Sequence, residues 1–211
     1  YLWSGGLGSD ANATVTSPAT YSVTATASNG CTACSSITIT QNITAPTTVI
    51  TNNTGSTLLT CARTSISLTA GGGISYVWSD GLGSNAAASV SRPSAYIVTA
   101  TGSNGCTSSA SITITQDITA PTVTITNNTG STELTCSRTS ISLTAGGGVS
   151  YVWSGGLGSN ANASVTSPAT YTATATAANG CTATAASVIG QNITPPVASI
   201  SPSSGTLTCT T

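Results

Sequence analysis

Seven cysteines are the side chains of this 211-residue sequence whose type and spacing point to a specific chemistry. Cys61 and Cys106 lie 45 residues apart, and so do Cys136 and Cys181 (106 − 61 = 181 − 136 = 45). Such a cysteine content is typical of proteins from oxidising compartments. The spacing therefore predicts two disulfide bonds, Cys61–Cys106 and Cys136–Cys181.

The remaining cysteines have no such partner within the sequence. Cys31 occupies the second of the two cysteine positions, and Cys209 occupies the first. We expect the partner of Cys31 before residue 1 and that of Cys209 beyond residue 211, so both are candidates for disulfide bonds between units. Cys34 has no counterpart, because Ser109 and Thr184 stand at the equivalent positions. Its role stays open.

A metal site is the competing interpretation of these cysteines. The sequence contains no histidine and no paired CxxC motifs, so four zinc ligands cannot be gathered. CTAC at 31–34 is a weak redox signal, since the other repeats lack its second cysteine. The four acidic residues stand at different repeat positions and do not predict a calcium cage. We expect neither a metal nor a cofactor.

Charged residues make up only 3% of the chain, which excludes several functions. General acid–base and nucleophilic catalysis need positioned ionisable groups, and histidine and lysine are both absent, so we expect no enzymatic activity. Three dispersed arginines cannot form a nucleic-acid or anionic-membrane surface. The ionisable residues besides cysteine and tyrosine are Asp10, Asp80, Asp117, Glu133, Arg63, Arg92 and Arg138.

A 75-residue period organises the whole sequence. The tryptophans stand at 3, 78 and 153, and the Asn-Gly pairs at 29–30, 104–105 and 179–180 keep the same step. Such a period defines the structural unit. It divides the chain into a partial repeat at 1–45, full repeats at 46–120 and 121–195, and the start of a further repeat at 196–211.

Alternating apolar and polar residues predict short half-buried strands in each repeat. In 65–70, Ile66, Leu68 and Ala70 share one face. We expect Ile74, Tyr76 and Trp78 to continue this pattern, and Tyr96, Val98 and Ala100 to face inward. Asn104-Gly105 predicts a two-residue type I′ hairpin. About seven strands per repeat predict an all-β fold of small sandwiches.

The linkers between repeats are short and rich in proline. They read QNITAP, QDITAP and QNITPP, ending at residues 46, 121 and 196. Proline restricts the backbone and no flexible Gly/Ser spacer is present, so successive repeats are expected to form a semi-rigid rod.

Two further features allow alternative functions. Trp78 and Trp153 could stack on glycans, although a lone tryptophan in each sandwich is more often a core residue. Flat Thr-x-Thr arrays could instead bind ice or a mineral surface. NxS/T sequons mark possible glycosylation sites. These stand at Asn12, Asn42, Asn52, Asn127, Asn162 and Asn192.

SYVWS (75–79), YIVTATGSNGC (96–106), TAPTVTIT (119–126) and LTC (134–136) together resemble the tandem immunoglobulin-like or PKD-like repeats of very large bacterial surface proteins. Gliding and adhesion proteins of Bacteroidota that are exported by type IX secretion are the most similar type. The resemblance implies immunoglobulin-like β-sandwich repeats and an extracellular location. It implies function only loosely, because such sandwiches serve many roles.

These observations favour a non-enzymatic stalk or filament of a secreted surface protein. The expected partners are neighbouring repeats or other copies of the chain, and the alternative is a glycan-binding adhesin module. No apolar run reaches the roughly 18 residues of a membrane span, so membrane insertion is not expected. Because the sequence begins and ends within repeats, we expect it to belong to a longer secreted protein.

Overall fold

A computed structural model describes residues 1–200 and 205. The strand-rich character predicted from the sequence is confirmed, and a single turn of 3₁₀ helix at Ser4–Gly6 accompanies the strands. In chain order the strands are β1 (Leu2–Trp3), β2 (Ala19–Thr26), β3 (Thr32–Ile39), β4 (Val49–Asn52), β5 (Leu58–Thr60), β6 (Ile66–Gly71), β7 (Ser75–Trp78), β8 (Ala87–Val90), β9 (Ser94–Thr101), β10 (Thr107–Asp117), β11 (Thr124–Asn127), β12 (Glu133–Thr135), β13 (Ile141–Gly146), β14 (Ser150–Trp153), β15 (Asn162–Val165), β16 (Ala169–Thr176) and β17 (Thr182–Asn192).

The sheets repeat the same topology along the chain. Between residues 46 and 120, β4-β6-β8 forms a three-stranded sheet and β5-β10-β9-β7 a four-stranded sheet. Between residues 121 and 195, β11-β13-β15 and β12-β17-β16-β14 have the same two orders. The first part of the chain contributes one sheet, β1-β2-β3. The fold is thus a series of immunoglobulin-like β-sandwich repeats.

Alternation along the strands places apolar side chains between the sheets. Ile141, Leu143 and Ala145 of β13 are buried, and the polar residues between them are not. They pack in one cluster with residues of the other sheet, which defines a sandwich core. The other buried members of this cluster are Leu134, Trp153, Ala163, Val165, Tyr171, Ala173 and Ile189.

The predicted inward faces in residues 46–120 are confirmed except at Tyr76, which is half-buried, and at Ile74. Ile66, Leu68, Ala70, Tyr96, Val98 and Ala100 are all buried. Trp78 is buried as well, with 4% of its surface exposed, but Ile74 is 73% exposed. Ile74 lies just before β7, where its N–H donates to the carbonyl of Thr101, so the alternation that begins with Ser75 does not extend to it.

The Asn104-Gly105 turn is a hairpin, but the predicted two-residue type I′ geometry is wrong. Type I′ needs positive φ at both central residues, and only Gly105 has it, at +80°. The loop spans five residues, with Gly105 N–H donating to the Gly102 carbonyl and Gly102 N–H to the Cys106 carbonyl. Ala27–Cys31 and Ala177–Cys181 have the same bonds.

The chain divides into two compact units, each built from several segments. Unit 1 contains residues 1–55, 67–90 and 94–113; unit 2 contains residues 56–66, 91–93 and the described residues from 114 onward. The boundaries that the period predicts after residues 45, 120 and 195 stay a prediction. None of the helical segments in the described part of the chain is long and apolar enough to cross a membrane.

Candidate functional site: a disulfide-linked junction

The structure contains a disulfide bond that the spacing did not predict. Cys61 is bonded to Cys181, with a Cα–Cα distance of 5.0 Å and a sequence separation of 120 residues. Both residues belong to unit 2. Cys106 and Cys136 are free thiols, so the predicted bonds Cys61–Cys106 and Cys136–Cys181 are wrong.

Strand register explains why the predicted pairs do not form. Cys136 directly follows β12, whose Thr135 lies level with Asn192 at the far end of β17. Cys181 directly precedes the start of the same strand. Eleven residues of extended chain cover about 35 Å, whereas a disulfide needs a Cα–Cα distance of at most about 7 Å.

The same parallel register occurs in the preceding repeat. Cys61 follows β5, which pairs with the last residues of β10, and Cys106 precedes the first residue of β10. The two cysteines of a repeat therefore lie at opposite ends of one long strand. The two cysteines of one repeat can therefore form disulfide bonds only at opposite ends of that strand.

The loop between β16 and β17 contacts the segment after β5 and brings Cys61 and Cys181 together. We call this contact the junction. The Ala62 N–H donates to the Asn179 carbonyl at 3.3 Å. Gly180 approaches so closely that a Cβ there would lie 2.5 Å from the Ala62 Cβ. Cys181 is only 3% exposed, although Cys61 remains exposed.

A hydrogen-bonded cluster lies beside the disulfide, and we call Asp117, Thr119 and Asn179 the clasp. Asn179 Nδ2 donates to Asp117 Oδ1 at 3.1 Å and to the Thr119 carbonyl at 2.9 Å. Asn179 Oδ1 accepts from the Cys181 N–H at 3.0 Å. The asparagine thus fixes the linker on one side and the backbone of a bonded cysteine on the other.

Asp117 is the charged member of the clasp. The Thr119 N–H donates to Asp117 Oδ1 at 3.0 Å. This bond, the Thr119 hydroxyl and the Asn179 amide lower the pKa of Asp117 from its ordinary value, because each stabilises the ionised carboxylate. The polar cluster therefore favours the charged form at neutral pH.

Unit 1 contains an uncharged version of the same clasp, formed by Asn42, Thr44 and Asn104. Asn104 Nδ2 donates to Asn42 Oδ1 at 3.1 Å and to the Thr44 carbonyl at 2.9 Å. Asn104 Oδ1 accepts from the Cys106 N–H at 3.1 Å. In both units the asparagine of an Asn-Gly pair therefore binds the linker that begins the repeat.

An open cleft of about 730 Å³ lies beside the junction in unit 2. It contains Arg63 and Asp117 as charged residues, and Arg63 Nη1 donates to the Leu58 carbonyl at 3.3 Å. No cluster of three or more potential metal ligands occurs among the described residues. What this site can do chemically is form and break a disulfide.

Trp78 and Trp153 do not lie on a binding surface. Trp78 and Trp153 are 4% and 3% exposed, and each Nε1–H donates to a carbonyl, of Asn85 and Asn160 respectively. The expectation that they are core residues is confirmed. They cannot act as stacking platforms for sugars without leaving the core.

The sequons differ in accessibility. Asn12, Asn42, Asn162 and Asn192 are exposed, whereas Asn52 and Asn127 are half-buried. Asn127 uses its Nδ2, the atom that glycosylation would modify, to donate to the Ser131 carbonyl at 2.8 Å. Glycosylation at these sites stays a prediction.

The other predicted cysteine candidates are not part of the bonded junction. Cys31 and Cys34 are exposed free thiols, and Cys209 lies outside the described residues. Cys34 Sγ lies 3.3 Å from Thr24 Oγ1 across the β2–β3 pair. Sequence reasoning missed the clasp, although its signal was present. An Asn-Gly-Cys sequence recurs at 29–31, 104–106 and 179–181, and the second and third begin 62 residues after Asn42 and Asp117 of the linkers (104 − 42 = 179 − 117 = 62).

No protein-family model and no curated protein matches this chain. One similar solved structure comes from a study of the host cell surface retention of a 1.5-MDa bacterial ice-binding adhesin; 83% of this chain aligns with 74% of that one, at 17% identity and a TM-score of 0.49. Another contains fibronectin(III)-like modules of CbhA from Clostridium thermocellum, with 68% and 95% coverage, 10% identity and a TM-score of 0.30. Likenesses at this level identify neither a family nor a function.

Proposed function

We propose that this chain is a non-enzymatic structural region of an extracellular bacterial surface protein, in which disulfide-linked repeats form a stalk or filament. The observation that supports this most directly is the Cys61–Cys181 bond, because it joins cysteines of successive 75-residue repeats. A bond inside one repeat would stabilise that repeat alone. A bond across the junction opposes separation of the two.

The bond and the clasp oppose separation in different ways. A disulfide that closes a 120-residue loop lowers the conformational entropy of the unfolded chain. In the chain-entropy model this raises the free energy of unfolding by about 5 kcal/mol. The clasp adds hydrogen bonds between Asn179 and the linker at Asp117 and Thr119. This combination suits a protein that carries tension outside the cell, where disulfides persist.

The composition supports the non-enzymatic part of the proposal. With four acidic residues, no histidine and no lysine, the chain has few groups for acid–base catalysis. A glycan-binding role is less well supported, because Trp78 and Trp153 are buried. On the motif resemblance alone, we propose a very large Bacteroidota protein exported by type IX secretion as the carrier.

Stretching single molecules tests the proposed mechanical role. With the chain held at its two ends, the residues between Cys61 and Cys181 cannot extend while the bond is intact. Fully extended chain spans about 3.3–3.6 Å per residue, so adding a reductant should lengthen the unfolded molecule by on the order of 400 Å. Unchanged length after reduction, or unfolding of the oxidised chain at forces no higher than those for the reduced chain, would contradict the proposal.

A further inference from the structure

Asn179 and Gly180 form a dipeptide whose two residues can react with each other. In an Asn-Gly pair, the backbone nitrogen of glycine can attack the side-chain amide carbon of asparagine, because glycine has no Cβ that would block the approach. The product is a cyclic imide, which water converts to aspartate or isoaspartate. Because this dipeptide lies at the junction, the reaction would place a new carboxylate there.

The groups that take part in this reaction are all hydrogen-bonded in the closed junction. The Gly180 N–H, whose nitrogen is the nucleophile, donates to the Ala177 carbonyl at 2.9 Å. The side-chain amide of Asn179 is held at both of its polar atoms, since Oδ1 accepts from the Cys181 N–H and Nδ2 donates twice within the clasp. Attack on the amide carbon therefore requires several hydrogen bonds to break first.

The backbone of the dipeptide is held in place as well. The Asn179 carbonyl accepts from the Ala62 N–H at 3.3 Å, and a Cβ on Gly180 would lie only 2.5 Å from the Ala62 Cβ. The next residue, Cys181, is bonded to Cys61. Forming the imide requires rotation of the backbone between Asn179 and Gly180, and the packing against Ala62 opposes this rotation.

The product of the reaction is a poor partner for Asp117. Asn179 Nδ2 lies 3.1 Å from Asp117 Oδ1, so a carboxylate at position 179 would bring two negative charges into contact. The hydrogen bond to the Thr119 carbonyl would be lost as well, because a carboxylate has no donor. Deamidation of Asn179 therefore opposes closing of the junction.

The clasp of unit 1 differs in its charge. Asn104-Gly105 forms the same loop, in which the Gly105 N–H donates to the Gly102 carbonyl at 3.0 Å. Asn104 Nδ2 lies 3.1 Å from Oδ1 of Asn42, whose own amide can rotate and donate to a carboxylate. Deamidation of Asn104 thus leaves a hydrogen bond to the linker, whereas deamidation of Asn179 creates a repulsion.

We propose that Asn179 is a site of spontaneous deamidation that the closed junction protects, and that the product keeps an opened junction from closing again. When the junction opens, the Gly180 nitrogen loses its proton and forms a bond to Asn179 Cγ. The Cγ–Nδ2 bond breaks, and Nδ2 takes up that proton and leaves as ammonia. One water molecule then opens the imide to aspartate or isoaspartate. Water is the only co-reactant, so the reaction needs neither an enzyme nor an oxidant.

Deamidation rates in two matched variants test the protection. Cys61→Ser/Asp117→Ala removes the covalent bond and one acceptor of the Asn179 amide, whereas Cys136→Ser/Glu133→Ala makes similar changes outside the junction. Each full chain is incubated at mildly alkaline pH without oxygen, and mass spectrometry of digests measures deamidation. Asn179 should react on the order of tenfold faster in the first variant, because the hydrogen bonds that protect it are lost.

Asn104 in the same digests is the internal control and should react at the same rate in both variants. A rate at Asn179 that is equal in the two variants would overturn the proposed protection. Equal acceleration at Asn104 would overturn it too, because the whole chain would then unfold and the junction would have no specific role.

Charge variants of the clasp test the effect of the product. Asn179→Asp reproduces the deamidated residue, and Asp117→Asn provides an amide opposite it. In chains whose other cysteines are serine, the ratio of bonded to reduced Cys61 and Cys181 is measured in a glutathione redox buffer. Asn179→Asp should lower this ratio on the order of tenfold, and Asp117→Asn/Asn179→Asp should recover most of the loss.

Two results would contradict the proposed effect of the product. One is a ratio that Asn179→Asp leaves unchanged, and the other is a double variant as impaired as the single one, because the loss would then not come from the charge of Asp117. Neither experiment depends on force, so the stalk proposal and this inference can fail separately.

Discussion

At the scale of single residues, the carboxylate of Asp117 makes the clasp in unit 2 sensitive to pH. Its pKa is lowered, first by the N–H of Thr119, then by the Thr119 hydroxyl and the Asn179 amide. A group whose pKa is lower in the folded state stabilises the fold above its unfolded value of 3.8. That contribution disappears as the pH falls through the lower, folded value. The equivalent Asn42 in unit 1 cannot titrate.

Asp117→Asn should therefore remove part of the acid sensitivity of unit 2 while preserving the clasp. An asparagine Oδ1 can accept both hydrogen bonds, as Asn42 does. Urea unfolding followed from about pH 6 to about pH 2 should show a smaller loss of stability for the variant than for the parent chain. Glu133→Gln removes an exposed charge outside the clasp and serves as the control. If Glu133→Gln flattened the pH dependence as much as Asp117→Asn, the assignment to the clasp would be wrong.

At the scale of elements, the same hairpin loop occurs three times in different surroundings. Gly30, Gly105 and Gly180 have φ values of +83°, +80° and +80°, which glycine adopts without strain. A Cβ on Gly30 or Gly105 would meet nothing within 4 Å, but one on Gly180 would clash with the Cβ and backbone N of Ala62. All three positions require glycine because of their positive φ. Position 180 also requires it because a Cβ there would clash with Ala62.

Comparing Gly180→Ala with Gly105→Ala separates these two requirements. Both variants adopt an unfavourable φ, at a cost of about 1–2 kcal/mol. Only Gly180→Ala must also displace backbone at the junction, so it should lose on the order of 1–3 kcal/mol more. Denaturant unfolding measures the difference, and thiol counting should reveal incomplete Cys61–Cys181 bonding in Gly180→Ala alone. Equal losses in the two variants would indicate that the loop does not pack closely on Ala62.

The strands were predictable from sequence because burial follows side-chain alternation. Ile66, Leu68 and Val98 are buried as the period of two requires. Ile74 breaks the pattern because the strand begins one residue later, and element ends depend on hydrogen bonds that the pattern does not encode. The loop type was mispredicted for a similar reason. Asn-Gly is compatible with more than one kind of hairpin, and the structure has a five-residue loop where a two-residue loop was predicted.

The disulfide could not be predicted from spacing, because a 75-residue period makes several pairings equivalent. Separations of 45 and 120 residues join the same two repeat positions, within one repeat or across two. Strand register decides between them, since Cys136 and Cys181 lie at opposite ends of β17. That register follows from the parallel pairing of β12 with β17, a long-range contact without a local sequence signal.

At the scale of the whole molecule, the Cys61–Cys181 bond encloses a loop of 120 residues, more than half of the 211-residue chain. This loop contains strands β6 to β16, and so most of both full repeats. When this loop unfolds while the bond is intact, the unfolded chain has a lower conformational entropy than it would have without the bond. Loss of the bond should therefore lower the stability of the protein more than loss of any surface thiol.

Cys61→Ser and Cys136→Ser test this expectation at equivalent repeat positions. Cys61→Ser breaks the bond and should reduce the free energy of unfolding by about 3–5 kcal/mol, since the larger the closed loop, the more entropy the unfolded chain regains. Cys136→Ser replaces an exposed free thiol and should have little effect. Urea unfolding at a protein concentration that keeps the chains monomeric measures both, and reduction of the parent chain should reproduce the Cys61→Ser loss. Equal stabilities for the two variants would mean that the clasp and the linker, and not the covalent bond, hold the junction together.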